Sequence, residues 1–226
     1  MIPIPIGDVA KTRHTAWINW LLILANCAVF AWYFRPDRYE TTISTYAMVP
    51  NQWQNWKTLF SSMFLHGDIT HLLGNMLFLY IAGDNVEDRL GHLAYLIFYL
   101  LAGLAGAAVH IVYATQFGNG GGTPTIGASG AISGVMGAYL IFFPRIQIKF
   151  MLWLIIFIRF FTLPSWGVIG FWVLSQVLMA RAQWHGVAGK EDAMVAVFAH
   201  LGGFAFGVVV ALCVRMFGKA PKKQRD

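Results

Sequence analysis

The sequence predicts an all-α membrane protein, a bundle of six transmembrane helices. Three observations predict it. The 226 residues are 58% apolar and only 12% charged, against roughly 45–50% and 25% for a soluble domain. The charges are segregated, leaving charge-free windows over 14–34, 69–83, 90–144, 160–180 and 193–214. A helix needs about 20 mainly apolar residues to cross a bilayer. The 55-residue window holds two crossings, separated by the loop around Gly118, Asn119, Gly120, Gly121 and Gly122. A soluble enzyme, a disulfide-stapled module and a disordered tail protein are excluded.

Residues 1–14 lack the apolar core and small-residue cleavage site of a signal peptide and read as a short cytoplasmic segment. The six-span domain occupies 15–217, and 218–226 is a basic cytoplasmic tail. The first span covers Thr15 to Phe34. An outer loop follows to Leu65, where Trp53, Trp56, Phe60 and Phe64 recur at spacings of three and four. That stripe suits an anchor at the membrane interface. The second span, His66 to Gly83, is made polar by His71 and Asn75. The third runs from His92 to Thr115, the fourth from Ile126 to Phe143 and the fifth from Leu163 to Ala180. The outer loop Arg181 to Asp192 leads to the sixth, Ala193 to Met216.

The stretch Ile146 to Phe161 would be a seventh crossing only 16 residues long, with Lys149 and Arg159 near its ends. It is short for a span and is expected to lie at, or re-enter, the inner interface. Cys27 and Cys213, both inside spans, read as small packing residues.

The net charge of +6 is a topology signal. No soluble basic face exists to hold nucleic acid, and short cytoplasmic loops collect Lys and Arg. With six spans, eleven Lys and Arg fall on the side of the termini and five on the other, which places both termini in the cytoplasm. The second, fourth and sixth spans then all run from outside to inside.

Ionisable groups inside spans are costly and point to function. His71 and His200 each lie in the outer half of a span, and Ser129 opens the fourth span in Gly127-Ala128-Ser129-Gly130. Small residues four apart let membrane helices approach closely. Gly130, Gly134 and Gly137 offer such a seam on the fourth span, and Ala199, Gly203 and Gly207 offer one on the sixth. Close approach would bring the Ser129 hydroxyl to the His200 imidazole, a nucleophile and its general base. No Asp or Glu lies inside either span, so the pair would act as a dyad. His71 and Asn75 share one helix face. With the Ser129 backbone N–H they would form an oxyanion site, or else an interhelical polar clamp. The His-Glu-x-x-His pattern is absent, so neither a metal nor another cofactor is expected.

These motifs resemble the rhomboid family of intramembrane serine proteases. The resemblance covers about residues 15–217 and rests on Trp56-Lys57, His66 with His71-x-x-x-Asn75, and Asn85-Val86-Glu87-Asp88-Arg89-Leu90-Gly91 read as a turn. It rests also on Gly127-Ala128-Ser129-Gly130 and on Ala199-His200-Leu201-Gly202-Gly203 with Gly207. It implies a six-helix bundle with a short, recessed fourth helix. It also implies Ser129 as nucleophile, His200 as base, His71 and Asn75 at the oxyanion, and Gly127, Gly130, Gly134, Gly203 and Gly207 as packing residues. Lys57 stands where the family has Arg, and Ser133 where some relatives carry a Tyr that stacks on the histidine. The contacts that orient His200 are not identifiable from the sequence.

The implied activity is cleavage of membrane-anchored, single-span protein substrates near the outer face of the lipid bilayer. The compact form resembles bacterial members, which implies a bacterial inner membrane. Two other readings stand beside it: a non-catalytic rhomboid-like protein that binds membrane clients, and a channel, which the apolar inner halves of the fourth and sixth spans disfavour.

Overall fold

The computed structural model describes residues 3–118, 120–154, 157–188 and 195–217. A strand β1 (Ile4–Asp8) precedes the helices α1 (Trp17–Tyr33), α2 (Tyr39–Tyr46), α3 (Trp56–Ser61), α4 (Ile69–Leu90), α5 (His92–Gln116) and α6 (Ser129–Phe142). A hairpin of β2 (Gln147–Leu154) and β3 (Phe157–Pro164) follows, then α7 (Ser165–Trp184) and α8 (Val197–Phe217). The basic tail 218–226 and residues 189–194, between α7 and α8, lie outside the described residues.

α5 and α8 are long and apolar enough to cross a membrane on length and composition. The outward faces of the helices are apolar too. Trp20 and Leu24 on α1, Ile97 on α5, Phe171 and Leu178 on α7, and Val209 on α8 are all exposed. A water-soluble monomer rarely displays so continuous an apolar surface.

α6 is the central helix. Every residue from Gly130 to Tyr139 is buried. Its 14 residues span about 21 Å at 1.5 Å per residue, short of the roughly 30 Å hydrocarbon core. The helix therefore starts below one end of the bundle. Its glycines set the packing distance to α8. A Cβ on Gly203 would lie 2.0 Å from the Gly130 carbonyl oxygen, and one on Gly207 would lie 1.9 Å from that of Gly134. The backbones touch, which only hydrogen side chains permit.

Three expectations are corrected. First, the fold is not wholly helical. β2 pairs antiparallel with β3 from Gln147↔Pro164 to Leu154↔Phe157 and with β1 from Ile4↔Met151 to Asp8↔Ile148. Within the Ile146–Phe161 stretch, residues 147–154 and 157–161 are thus strand, and no helix forms there among the described residues. Its Ile and Phe content favours strand, and the N-terminal segment supplies a partner edge. Second, Asn85 to Leu90 is not a turn but the end of α4, closed by Gly91 at φ 86°. The Glu87 carboxylate is buried there and accepts the N–H groups of Ile18 at 3.0 Å and Asn19 at 2.7 Å. It thereby satisfies donors that the first turn of α1 leaves free. Third, Gly127 is not a helix-packing residue but lies in the loop before α6, with φ 126°.

The N-terminal segment is tied to the same end of the bundle. Asp8 accepts hydrogen bonds from Tyr139 Oη on α6 and from Asn85 Nδ2 on α4. Burial pushes the Asp8 carboxyl above its ordinary value. Arg13 pairs with Asp88 at 3.0 Å. The sheet and the far ends of α4 and α6 thus gather opposite the end where Ser129 lies.

Candidate active site

The loop into α6 is fixed before the helix begins. Gly127 donates its N–H to the Ser62 carbonyl at 2.9 Å, and Thr125 exchanges backbone hydrogen bonds with Met48. Gly127 holds a φ of 126°, and a Cβ there would sit 2.9 Å from the His71 ring. A side chain would meet both backbone strain and a clash. The turn delivers Ser129 as the first residue of α6. Its backbone N–H belongs to the first turn, which has no intrahelical acceptor, at the positive end of the helix dipole.

His200 lies on the fourth residue of α8, in its first turn. The sequence places it about seven residues into its span and Ser129 three into its own. Both in fact sit one turn or less from their helix starts, because each helix begins later than the apolar window. The glycine contacts between α6 and α8 then bring His200 Nε2 to 2.8 Å from Ser129 Oγ. His200 Nδ1 lies 2.7 Å from Gln176 Oε1 on α7. The Trp172 ring, one turn away on α7, packs at 6.0 Å from the imidazole at a 37° tilt. Gln176 and Trp172 thus answer what holds His200. Ser133 does not reach the ring; its hydroxyl donates to the Ser129 carbonyl at 2.6 Å.

α4 presents two more groups. Asp68 caps it by accepting the His71 N–H at 2.9 Å. The Thr70 hydroxyl donates to the same carboxylate. His71 Nδ1 accepts the Gly67 N–H at 3.5 Å. Its proton therefore sits on Nε2, the ring edge facing Gly127. Asn75 follows one turn later, nearly buried, and its Nδ2 has no hydrogen-bond partner. An unpaired buried donor costs about 1–3 kcal/mol, and Asn75 is part of the lining of the cavity that Ser129 and His200 share. Ser129, His200, His71 and Asn75 line one cavity of about 630 Å³, with Ser133 and Trp172 in its wall.

Three other histidines and the outer-loop residues separate from this group. His110 Nε2 lies 3.2 Å from Thr125 Oγ1, and His92 Nδ1 lies 2.5 Å from Glu87. His66 is fully buried, its ring edge-on to His71 at 5.1 Å. Tyr33 Oη donates to the His66 carbonyl and accepts its N–H, both at 2.6 Å. Trp53, Trp56 and Lys57 are exposed on the α3 side. Gln176 escaped the sequence reading, although it is the sole amide side chain in the charge-free window 160–180. A polar group in an apolar helix is a signal in itself.

Among the described residues no cluster of His, Cys, Asp and Glu is arranged to hold a metal.

Comparison with known proteins shows the family. A family model described as Rhomboid domain matches residues 52–217. The chain is 27% identical over 219 residues to Rhomboid protein 1, mitochondrial, of Saccharomyces cerevisiae, covering 94% of this chain and 57% of that protein. It is 23% identical to RHOMBOID-like protein 12, mitochondrial, of Arabidopsis thaliana, covering 90% and 63%. Against Rhomboid protease GluP of Bacillus subtilis it is 38% identical over 85 residues, 38% of this chain and 15% of that one. The chain spans less than two thirds of each of these relatives. Mitochondrial relatives stand beside a bacterial one, so the resemblance supports an integral membrane location without favouring the bacterial inner membrane. With the family model covering most of its length, the chain belongs to the rhomboid family.

Proposed function

We propose that this chain is an intramembrane serine endopeptidase that cleaves membrane-anchored, single-span proteins near one face of the bilayer. One observation carries the reading: a serine hydroxyl 2.8 Å from an imidazole nitrogen, in a cavity that also holds an unpartnered amide donor. Ser129 Oγ attacks the scissile carbonyl while His200 Nε2 takes its proton. The oxyanion is met by the Ser129 N–H, Asn75 Nδ2 and His71 Nε2. As the tetrahedral intermediate collapses, His200 returns the proton to the leaving amine. Water then enters along the same path, deprotonated by His200, and releases the acyl product.

The topology is six crossings with both termini on one side, supported by the asymmetric Lys and Arg count. The substrate helix must unwind locally, because a helical peptide bond is shielded and internally hydrogen-bonded. α7 forms the entry. Among its 20 residues only Ser165, Ile169, Gln176 and Ala180 are buried.

The test is cleavage of a tagged single-span substrate by purified wild type and Ser129→Ala in detergent, together with fluorophosphonate labelling. Wild type is expected to cleave and to label, and Ser129→Ala to do neither. Equal cleavage by both proteins sinks the nucleophile assignment. Absence of both activities from wild type, with client binding retained, favours the non-catalytic reading.

A further inference from the structure

We infer that Gln176 is the positioning residue for His200, doing with a neutral amide what an acid does in a serine triad. The inference rests on the proposed protease reading for its rate consequence, but the proton placement stands on the hydrogen bonds alone.

The Trp172 backbone carbonyl can only accept. Ser175 Oγ lies 2.6 Å from it and so donates its one proton there. Ser175 Oγ is then left as an acceptor for its other neighbour, Gln176 Nε2, at 3.2 Å. An amide nitrogen only donates, so the Gln176 orientation is determined: nitrogen toward Ser175, carbonyl oxygen toward His200. Oε1 can only accept, and it lies 2.7 Å from His200 Nδ1. The imidazole proton is therefore on Nδ1. In the neutral imidazole Nε2 then keeps its lone pair, 2.8 Å from Ser129 Oγ, which donates to it.

Each link in this chain has one permitted direction. The result is the tautomer that a general base needs. The opposite tautomer would put a proton between Nε2 and the serine oxygen and leave the base unable to act. Gln176 is 7% exposed, so little water competes for Nδ1. Trp172 holds the ring from the same helix face, one turn away. An amide suits this place better than a carboxylate, because an unpaired charge on a membrane helix is costly to bury. Both α7 contacts also make the competence of His200 depend on where α7 sits.

The test uses the full-length protein in detergent with Gln176→Leu, which removes the acceptor at similar volume, and Gln176→Glu, which restores an acceptor oxygen. Nitrogen-15 NMR of labelled imidazoles reads the tautomer directly, with His200→Gln identifying the signal. Wild type is expected to show a protonated Nδ1 and bare Nε2 at His200, Gln176→Leu a mixture, and Gln176→Glu the wild-type pattern. In the cleavage assay Gln176→Leu should lower kcat by about 10²-fold, the low end of what a placed general base contributes. KM should stay near its wild-type value, and Gln176→Glu should recover most of the rate. An unchanged His200 spectrum in Gln176→Leu overturns the inference, as does wild-type kcat in that variant. If wild type proves inactive, the protease reading fails, and the imidazole spectra still decide the placement of the proton.

Discussion

Gly203 is the position where a single methyl group should separate the two halves of the site. A Cβ there would sit 2.0 Å from the Gly130 carbonyl oxygen, and 3.4 Å is the near edge of ordinary contact. α8 must therefore withdraw from α6 by about 1.4 Å, unless the helices rotate. His200 is three residues earlier on the same face of α8, and Ser129 adjoins Gly130. If the shift carries to the site undiminished, the 2.8 Å Oγ–Nε2 contact opens to about 4.2 Å, past any hydrogen bond. Gly203→Ala should then lower kcat by about 10²-fold, as expected for an ångström of misplacement. It should also lower stability by roughly 1–3 kcal/mol, the cost of overpacking a close interface. Gly130→Ala provides the contrast within the same seam. Its Cβ meets nothing nearer than 3.6 Å, so its unfolding transition should stay at the wild-type position. The assays are thermal unfolding in detergent micelles and cleavage of a single-span substrate. If Gly203→Ala unfolds and cleaves like wild type, or if Gly130→Ala is the more damaging of the two, the backbone contact does not set the dyad distance.

Two further predictions follow from α4. Asn75→Ala removes the unpartnered Nδ2 and should reduce kcat by about 10²–10³-fold, as for loss of one oxyanion donor, with KM nearly constant. A rise in KM at unchanged kcat would assign Asn75 to ground-state binding instead. Asp68→Ala removes the acceptor of the His71 N–H at the start of α4 and should lower stability by about 1 kcal/mol, the usual cost of losing an N-cap. An unfolding transition at the wild-type position would refute the assignment.

The parts of the site legible in the sequence were those marked by cost. His71, Asn75 and His200 stand out because polar groups are rare in apolar windows, and Ser129 because glycines flank it. Gln176 carried the same mark but lacked a partner nearby in sequence, and 24 residues separate it from His200. Helix starts were misplaced for a related reason. Apolar composition marks what can face lipid, whereas α6 begins where the Gly127 turn ends and α8 begins at Val197, both inside the apolar windows. The turn expected over Asn85 to Gly91 came with the resemblance; the structure uses Glu87 there to cap α1, a contact across 69 residues.

The sequence by itself determined the membrane character, the family, and which few polar side chains the bundle holds. Burial cost is a property of residue type and run length, and both are written in one dimension. The tertiary structure decided the rest. It paired β1 with β2 across more than 140 residues, where apolar runs alone do not distinguish strand from interfacial helix. It also chose the tautomer of His200, through a chain of donors and acceptors whose directions exist only once α6, α7 and α8 are packed together.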